Sequence, residues 1–174
     1  MLFISHRRIG SSASQLGSSS ITPTNTVRRV TGMVSRSTRS PILGYSDRST
    51  VKLDYDRVPL RIVKFWSRRA YDWFKLEGYI IFESSRNSFH VVYNRPVTWR
   101  RNMHIMCWIA VESQLGKLRD YVLMQGIKES STLRVGPKFR KPSPRIVYRY
   151  GQQDKQIREF LETRKTIDHI SKNL

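Results

Sequence analysis

A chain of 174 residues with a formal charge of +19 and a pI near 10.8 has room for one cored domain and strongly favours polyanionic partners. Its single cysteine, Cys107, excludes an internal disulfide and a thiolate metal cluster. No apolar run approaches the roughly 18 residues of a membrane span, so nucleic acid rather than a bilayer is the expected partner.

Residues 1–46 contain no Asp or Glu, six Arg (7, 8, 28, 29, 36, 39) and many Ser and Thr. Such a stretch has no periodicity and too little apolar surface to fold, and is expected to be a disordered basic tail. Three readings of it stay open: an organellar transit peptide, an arm that grips phosphates, or a start codon assigned too early. The first acid, Asp47, marks the expected boundary of a domain over residues 47–174.

Val51-Lys52-Leu53-Asp54-Tyr55-Asp56 reads as a strand. Alternation gives Val51, Leu53 and Tyr55 one face and Lys52, Asp54 and Asp56 the other. Two carboxylates two residues apart on one face repel each other unless a cation or a proton lies between them. That is the smallest arrangement able to hold a divalent metal. Pro59 then suits the first turn of a helix running to about Glu77 and ended by Gly78. Its apolar stripe of Ile62, Phe65, Trp66, Ala70, Trp73 and Phe74 is expected to face the core.

Residues 78–83 and 88–93 read as a hairpin around a small polar turn. Phe89, Val91 and Tyr93 share the apolar face, and Ser88 and His90 the other. Residues 99–114 form a second helix with Met103, Met106, Cys107 and Ala110 on one face, which makes Cys107 a core residue. Helical spacing resumes over residues 117–126. Residues 132–135 form a short strand with Leu133 and Val135 inward and Arg134 opposite. A basic, proline-punctuated loop over residues 137–144 leads to an edge strand over residues 145–150 and a helix over residues 154–170.

The order is therefore β-α-β-β-α-β with an added C-terminal strand and helix. It predicts an α+β RRM/ferredoxin-like sandwich whose helices cover one sheet face and leave the other open. On that open face Asp54, Asp56, Ser88 and His90 would emerge together.

The chain resembles the archaeo-eukaryotic primase and primase-polymerase superfamily, and the smaller archaeal plasmid and virus members above all. Lys52-Leu53-Asp54-Tyr55-Asp56 is similar to the family's hydrophobic-hydrophobic-Asp-hydrophobic-Asp motif, departing from it at Lys52. Ser88-Phe89-His90 matches its small-x-His motif, and Leu133 to Lys138 resembles a further stretch, so that residues 50–150 are covered. The resemblance implies an RRM-like core in which Asp54 and Asp56 bind Mg²⁺ or Mn²⁺ and His90 contacts nucleotide phosphate. It implies nucleotidyl transfer on a DNA template, nucleoside triphosphates as substrates, a helicase or other replication protein as partner, and the cytoplasm of an archaeal host. A transit peptide in the tail would instead send the chain to an organelle.

Within that reading Asp54, Asp56 and His90 are the catalytic residues. Ser88 and His90 bind phosphates, and Arg134 and Lys138 contact triphosphate or template. Arg100, Arg101, Lys138, Arg140 and Lys141 carry nucleic-acid affinity. The family's third acid has no counterpart on the strand over residues 132–135. Asp120 lies at a plausible distance in sequence but inside a helix, and the face of Glu83 is left open. The alternatives are a degenerate DNA- or RNA-binding protein on the same scaffold, or acids merely salt-bridged to nearby Arg. A rolling-circle nicking enzyme needs a second His beside His90, where Val92 stands.

Overall fold

The computed structural model describes residues 43–138 and 141–172. Residues 1–42 of the expected tail, and Arg140 of the basic loop, lie outside them. The fold is mixed α+β with two antiparallel sheets. The larger has the order β2-β4-β3-β6, from Thr50–Tyr55 (β2), Gly78–Ser85 (β3), Ser88–Pro96 (β4) and Arg145–Gly151 (β6). The smaller pairs Gly44–Asp47 (β1) with Ser131–Arg134 (β5). The helices are Leu60–Phe74 (α1), Trp99–Ser113 (α2), Gly116–Lys128 (α3) and Gln156–Lys172 (α4).

β1 falls on the tail side of the boundary expected at Asp47. It is too short to read as a strand alone, and pairing with β5 creates it. The last strand lies at the sheet edge beside β3, as expected.

Val51, Leu53 and Tyr55 of β2 join Ile81, Val91 and Tyr93 beneath α1, α2 and α3 in the main core. The opposite face is not open. Ile80, Phe82 and Val92 emerge there and are covered by Tyr45, Leu133 and Val135 around the small sheet and by Ile157, Phe160 and Ile167 of α4. The expectation of a bare face fails because these strands are apolar on both sides. Residues 79–82 read Tyr-Ile-Ile-Phe and are all buried, as strands sandwiched between two layers must be.

Buried polar groups fasten the second layer. Asn102 donates to the carbonyls of Arg48 and Thr50, and Ser131 Oγ to that of Thr50 at 2.7 Å. The Tyr121 hydroxyl lies 3.2 Å from the carbonyls of both Lys52 and Thr132, bridging β2 and β5. Asn94 Oδ1 accepts from the amides of Lys155 and Ile157, tying the start of α4 to β4.

Three helical expectations are corrected. α1 ends at Phe74 with Lys75 in the left-handed conformation, three residues short of Glu77, so Gly78 does not stop it. Gly78 instead opens β3 opposite Gly151, where a side chain would run into the Gln152 carbonyl. The inward face of α1 is Val63, Ser67, Ala70 and Phe74, at positions i, i+4, i+7 and i+11. Phe65 and Trp73 consequently point out, at 52% and 69% exposure. Cys107 is exposed, because Ile105, Met106 and Ile109 define the buried side of α2.

Candidate functional site

Register brings the acidic motif and the small-x-His motif onto adjacent strands. Asp54 of β2 stands directly opposite His90 of β4, which stands opposite Phe82 of β3. The loop after β2 is held to the hairpin by the Val58 amide, which donates to the Asn87 carbonyl at 2.8 Å. Asp56 is exposed and accepts a 2.6 Å hydrogen bond from Ser88 Oγ. Four side chains from two motifs more than 30 residues apart thus meet at one end of the sheet.

The electrostatics are unbalanced. Burial, and then the neighbouring Asp56 carboxylate, push Asp54 up to about 6, against the pull of Arg134, Lys138 and Lys141. Asp54 keeps 40% of its side chain exposed, so it remains reachable from solvent. His90 is 4% exposed, and burial with the nearby Arg134 charge lowers it to about 3. Its hydrogen bond to the Arg134 backbone pulls the other way without restoring the charge. The imidazole is therefore neutral, and its Nε2, 3.7 Å from Asp54 Oδ1, forms no ion pair with it. His90 lies under the surface, where it supports the strand end that carries Asp54.

Lys52, the residue at odds with the hydrophobic pattern, is fully buried on the same face and paired with Asp47 of β1. Its ammonium also sits 4.4 Å from the Tyr45 ring centroid. Burial lowers it to about 8, with Asp47 opposing the shift. This ion pair joins the two sheets and explains why a lysine is accommodated there.

Arg134 is half-buried and spends three donor contacts on the chain itself. Its guanidinium reaches the carbonyls of Gly136 (2.8 Å), Pro142 (3.0 Å) and Ser84 (2.9 Å). It clamps the proline-rich loop against the hairpin, leaving two of its five N–H groups outside these bonds. Lys138 and Lys141 are exposed, face each other across a small bridge and contribute positive potential at Asp54. They are solvent-facing cations of the site.

Arg100 and Arg101 lie elsewhere. They open α2, just after the strand end where Thr50 pairs with Pro96, four residues (about 13 Å) along β2 from Asp54. Among the described residues, the basic positions expected to act together therefore form two separate groups, Arg100 with Arg101 and Lys138 with Lys141.

Neither candidate third acid joins Asp54 and Asp56. Asp120 is 71% exposed on α3, 3.9 Å from Lys117. Glu83 shares a rung with Phe89 and Tyr55 on the other sheet face and is held by Arg145 at 2.6 and 2.9 Å. Among the described residues no group of three or more His, Cys, Asp or Glu could hold a metal ion. Two adjacent carboxylates do suit one Mg²⁺ or Mn²⁺ whose remaining ligands are water and substrate phosphate. They do not suit a closed, all-protein metal cage.

Sequence reasoning missed Asp47 as the partner of Lys52, because that pairing exists only between two sheets. It also missed the outward aromatics of α1. The width of that stripe, with six apolar residues spread beyond one face, was the available signal.

No family model, curated protein or solved structure matches this chain. Among the described residues no helix is long and apolar enough to cross a membrane.

Proposed function

We propose that this chain is a nucleic-acid-directed nucleotidyltransferase of the primase-polymerase kind, acting on a DNA template with nucleoside triphosphates. The observation that carries the reading is the convergence of Asp54, Asp56, Ser88 and His90 beside Lys138 and Lys141, with Asp54 pushed up to about 6. A carboxylate pair that is partly buried and under-neutralised gains most from a divalent cation. The order of β2-β4-β3, with α1 and α2 on one side, supports an RRM-like core extended by β6, α4 and the small sheet.

Each residue has a distinct part in this proposal. A Mg²⁺ or Mn²⁺ ion held by Asp54 and Asp56 would neutralise the triphosphate and acidify the attacking 3′-hydroxyl. Ser88 fixes the rotamer of Asp56 by donating to it. Lys138 and Lys141 offset the charge that builds on the departing pyrophosphate. His90 and Arg134 are positioning residues. The first keeps the strand end and the Arg134 backbone together, and the second anchors the lysine loop.

A second reading, a degenerate binder without chemistry, is favoured by the lack of a third acid beside the pair among the described residues. Primer synthesis and extension on single-stranded DNA with labelled nucleotides separates the two. The expected result is metal-dependent product that the Asp54→Ala/Asp56→Ala variant abolishes, at unchanged nucleic-acid binding. Absence of product from the unaltered chain under Mg²⁺ and Mn²⁺, with binding intact, would reject catalysis and leave the binder.

A further inference from the structure

The outward aromatics of α1 form part of an ordered strip. Trp73 lies parallel to Trp108 of α2, with ring centroids 6.0 Å apart and 10° between planes. Trp108 meets Phe74 edge-on at 5.2 Å. Phe74 in turn carries the Arg101 guanidinium 5.0 Å above its ring and touches His104 at 5.6 Å. On the other flank Arg69 sits 5.2 Å from the Trp66 ring and 6.0 Å from that of Trp108. Beyond His104 the strip runs into a 340 Å³ recess lined by Thr98, Arg100, Arg101 and His104.

Two properties of this strip define what it would bind. An indole 69% exposed, yet stacked on a second indole, presents its free face to water in a fixed orientation. A scattered surface aromatic needs no explanation, but aromatics held in register by guanidinium groups form an organised surface. Positive charge predominates: Arg69, Arg100 and Arg101 are exposed, the carboxylate of Asp72 on α1 is taken by Arg68 at 2.8 Å, and Glu112 is the exposed acid one turn of α2 beyond Trp108. The complementary ligand carries negative charge at close intervals together with open planar faces. Single-stranded nucleic acid has both. A duplex hides its base faces within the stack, and an acidic peptide lacks the planes.

We propose that the α1/α2 surface is a single-strand nucleic-acid platform, on which Trp73, backed by Trp108, stacks a base and Arg69, Arg101 and His104 receive the flanking phosphates. It lies on the helix-covered side of the sheet, opposite the face that carries Asp54 and His90. It therefore stands independently of the nucleotidyl-transfer reading. For an enzyme of that kind it would hold template away from the reacting end.

The test uses the full chain and a fluorescent 12-nucleotide oligothymidylate. Affinity is measured by anisotropy over a range of salt, with ultraviolet cross-links mapped to peptides. Trp73→Ala is expected to weaken binding about 10-fold with an unchanged salt slope, because a stacking contact releases no counterions. Trp73→Phe should recover most of the loss. Arg101→Gln should lower the salt slope by about 0.7. Binding is read without nucleotide or divalent metal, so failure of the nucleotide site is read separately. Cross-links should fall in the α1 and α2 peptides. Wild-type affinity in Trp73→Ala, cross-links confined to other segments, or a dimer that Trp73→Ala dissolves would each overturn the proposal.

Discussion

The two faces of the β2-β4-β3-β6 sheet are both buried, but they are built from different chemistry. Toward α1, α2 and α3 the sheet presents Val51, Leu53, Tyr55, Ile81, Val91 and Tyr93 to close packing, with the charge of Glu83 at the rim and held by Arg145. Toward β1, β5 and α4 the apolar residues Ile80, Phe82 and Val92 share the face with Lys52, Asp54 and His90. Each polar group there must be matched separately. Lys52 has Asp47, and His90 has the Arg134 backbone and stays neutral. Asp54, at the rim, has no full match. A polar residue on a covered face must be matched by structure or by water, and of these three Asp54 is the one left partly to solvent.

The largest effect is expected at the matched pair. Asp47→Ala strands a fully buried ammonium and also removes the acceptor of the Ser49 and Thr50 amides. Urea denaturation should record a loss of about 3–5 kcal/mol, and adding Lys52→Met should restore much of it. A loss under about 1 kcal/mol would mean that the pair does not join the two sheets.

The covering layer itself is tested by Phe160→Ala. Phe160 is 2% exposed and packs 5.4 Å from the rings of both Tyr45 and Phe82. Removing it should cost about 3–5 kcal/mol of unfolding free energy, whereas an open sheet face would lose little.

The smallest effect has the opposite sign. Asp54 binds its proton more tightly in the folded state, so between the unfolded value near 3.8 and about 6 the folded protein holds more protons. The penalty from Asp54 is thus absent below that window and fully developed above it. Asp54→Asn should therefore stabilise the metal-free protein by about 1 kcal/mol at pH 7, a value reduced for its solvent exposure, and by almost nothing at about pH 3. Thermal melts at the two pH values check this, and an equal change at both would show that Asp54 is not the strained group.

Much of this architecture was readable along the chain. The strands over residues 51–56, 78–83 and 88–93, the helices after them, and the late strand and helix follow from alternation, helical spacing and turn residues. The common sheet face of Asp54, Ser88 and His90 followed from the same alternation, whereas the pairing of their strands is set by the tertiary register. Less readable were the outward turn of Trp73 and Phe65 and the exposure of Cys107. An apolar residue on a helix reports that it avoids water, and which of several apolar stripes wins the core depends on the neighbouring elements.

From sequence alone came the basic character, the lack of an internal disulfide, the order of the elements after β1 and the two motifs that supply the acids and the histidine. Those are local or compositional properties, set by residue type and spacing of a few positions. Tertiary structure decided that the second sheet face is covered and that Lys52 belongs to Asp47. It also buried His90 in neutral form, drew Arg134 inward and split the basic residues into two groups. These outcomes depend on pairing between segments as far apart as Tyr45 and Phe160. A one-dimensional pattern holds the preference of each residue for water but not the identity of what will replace that water.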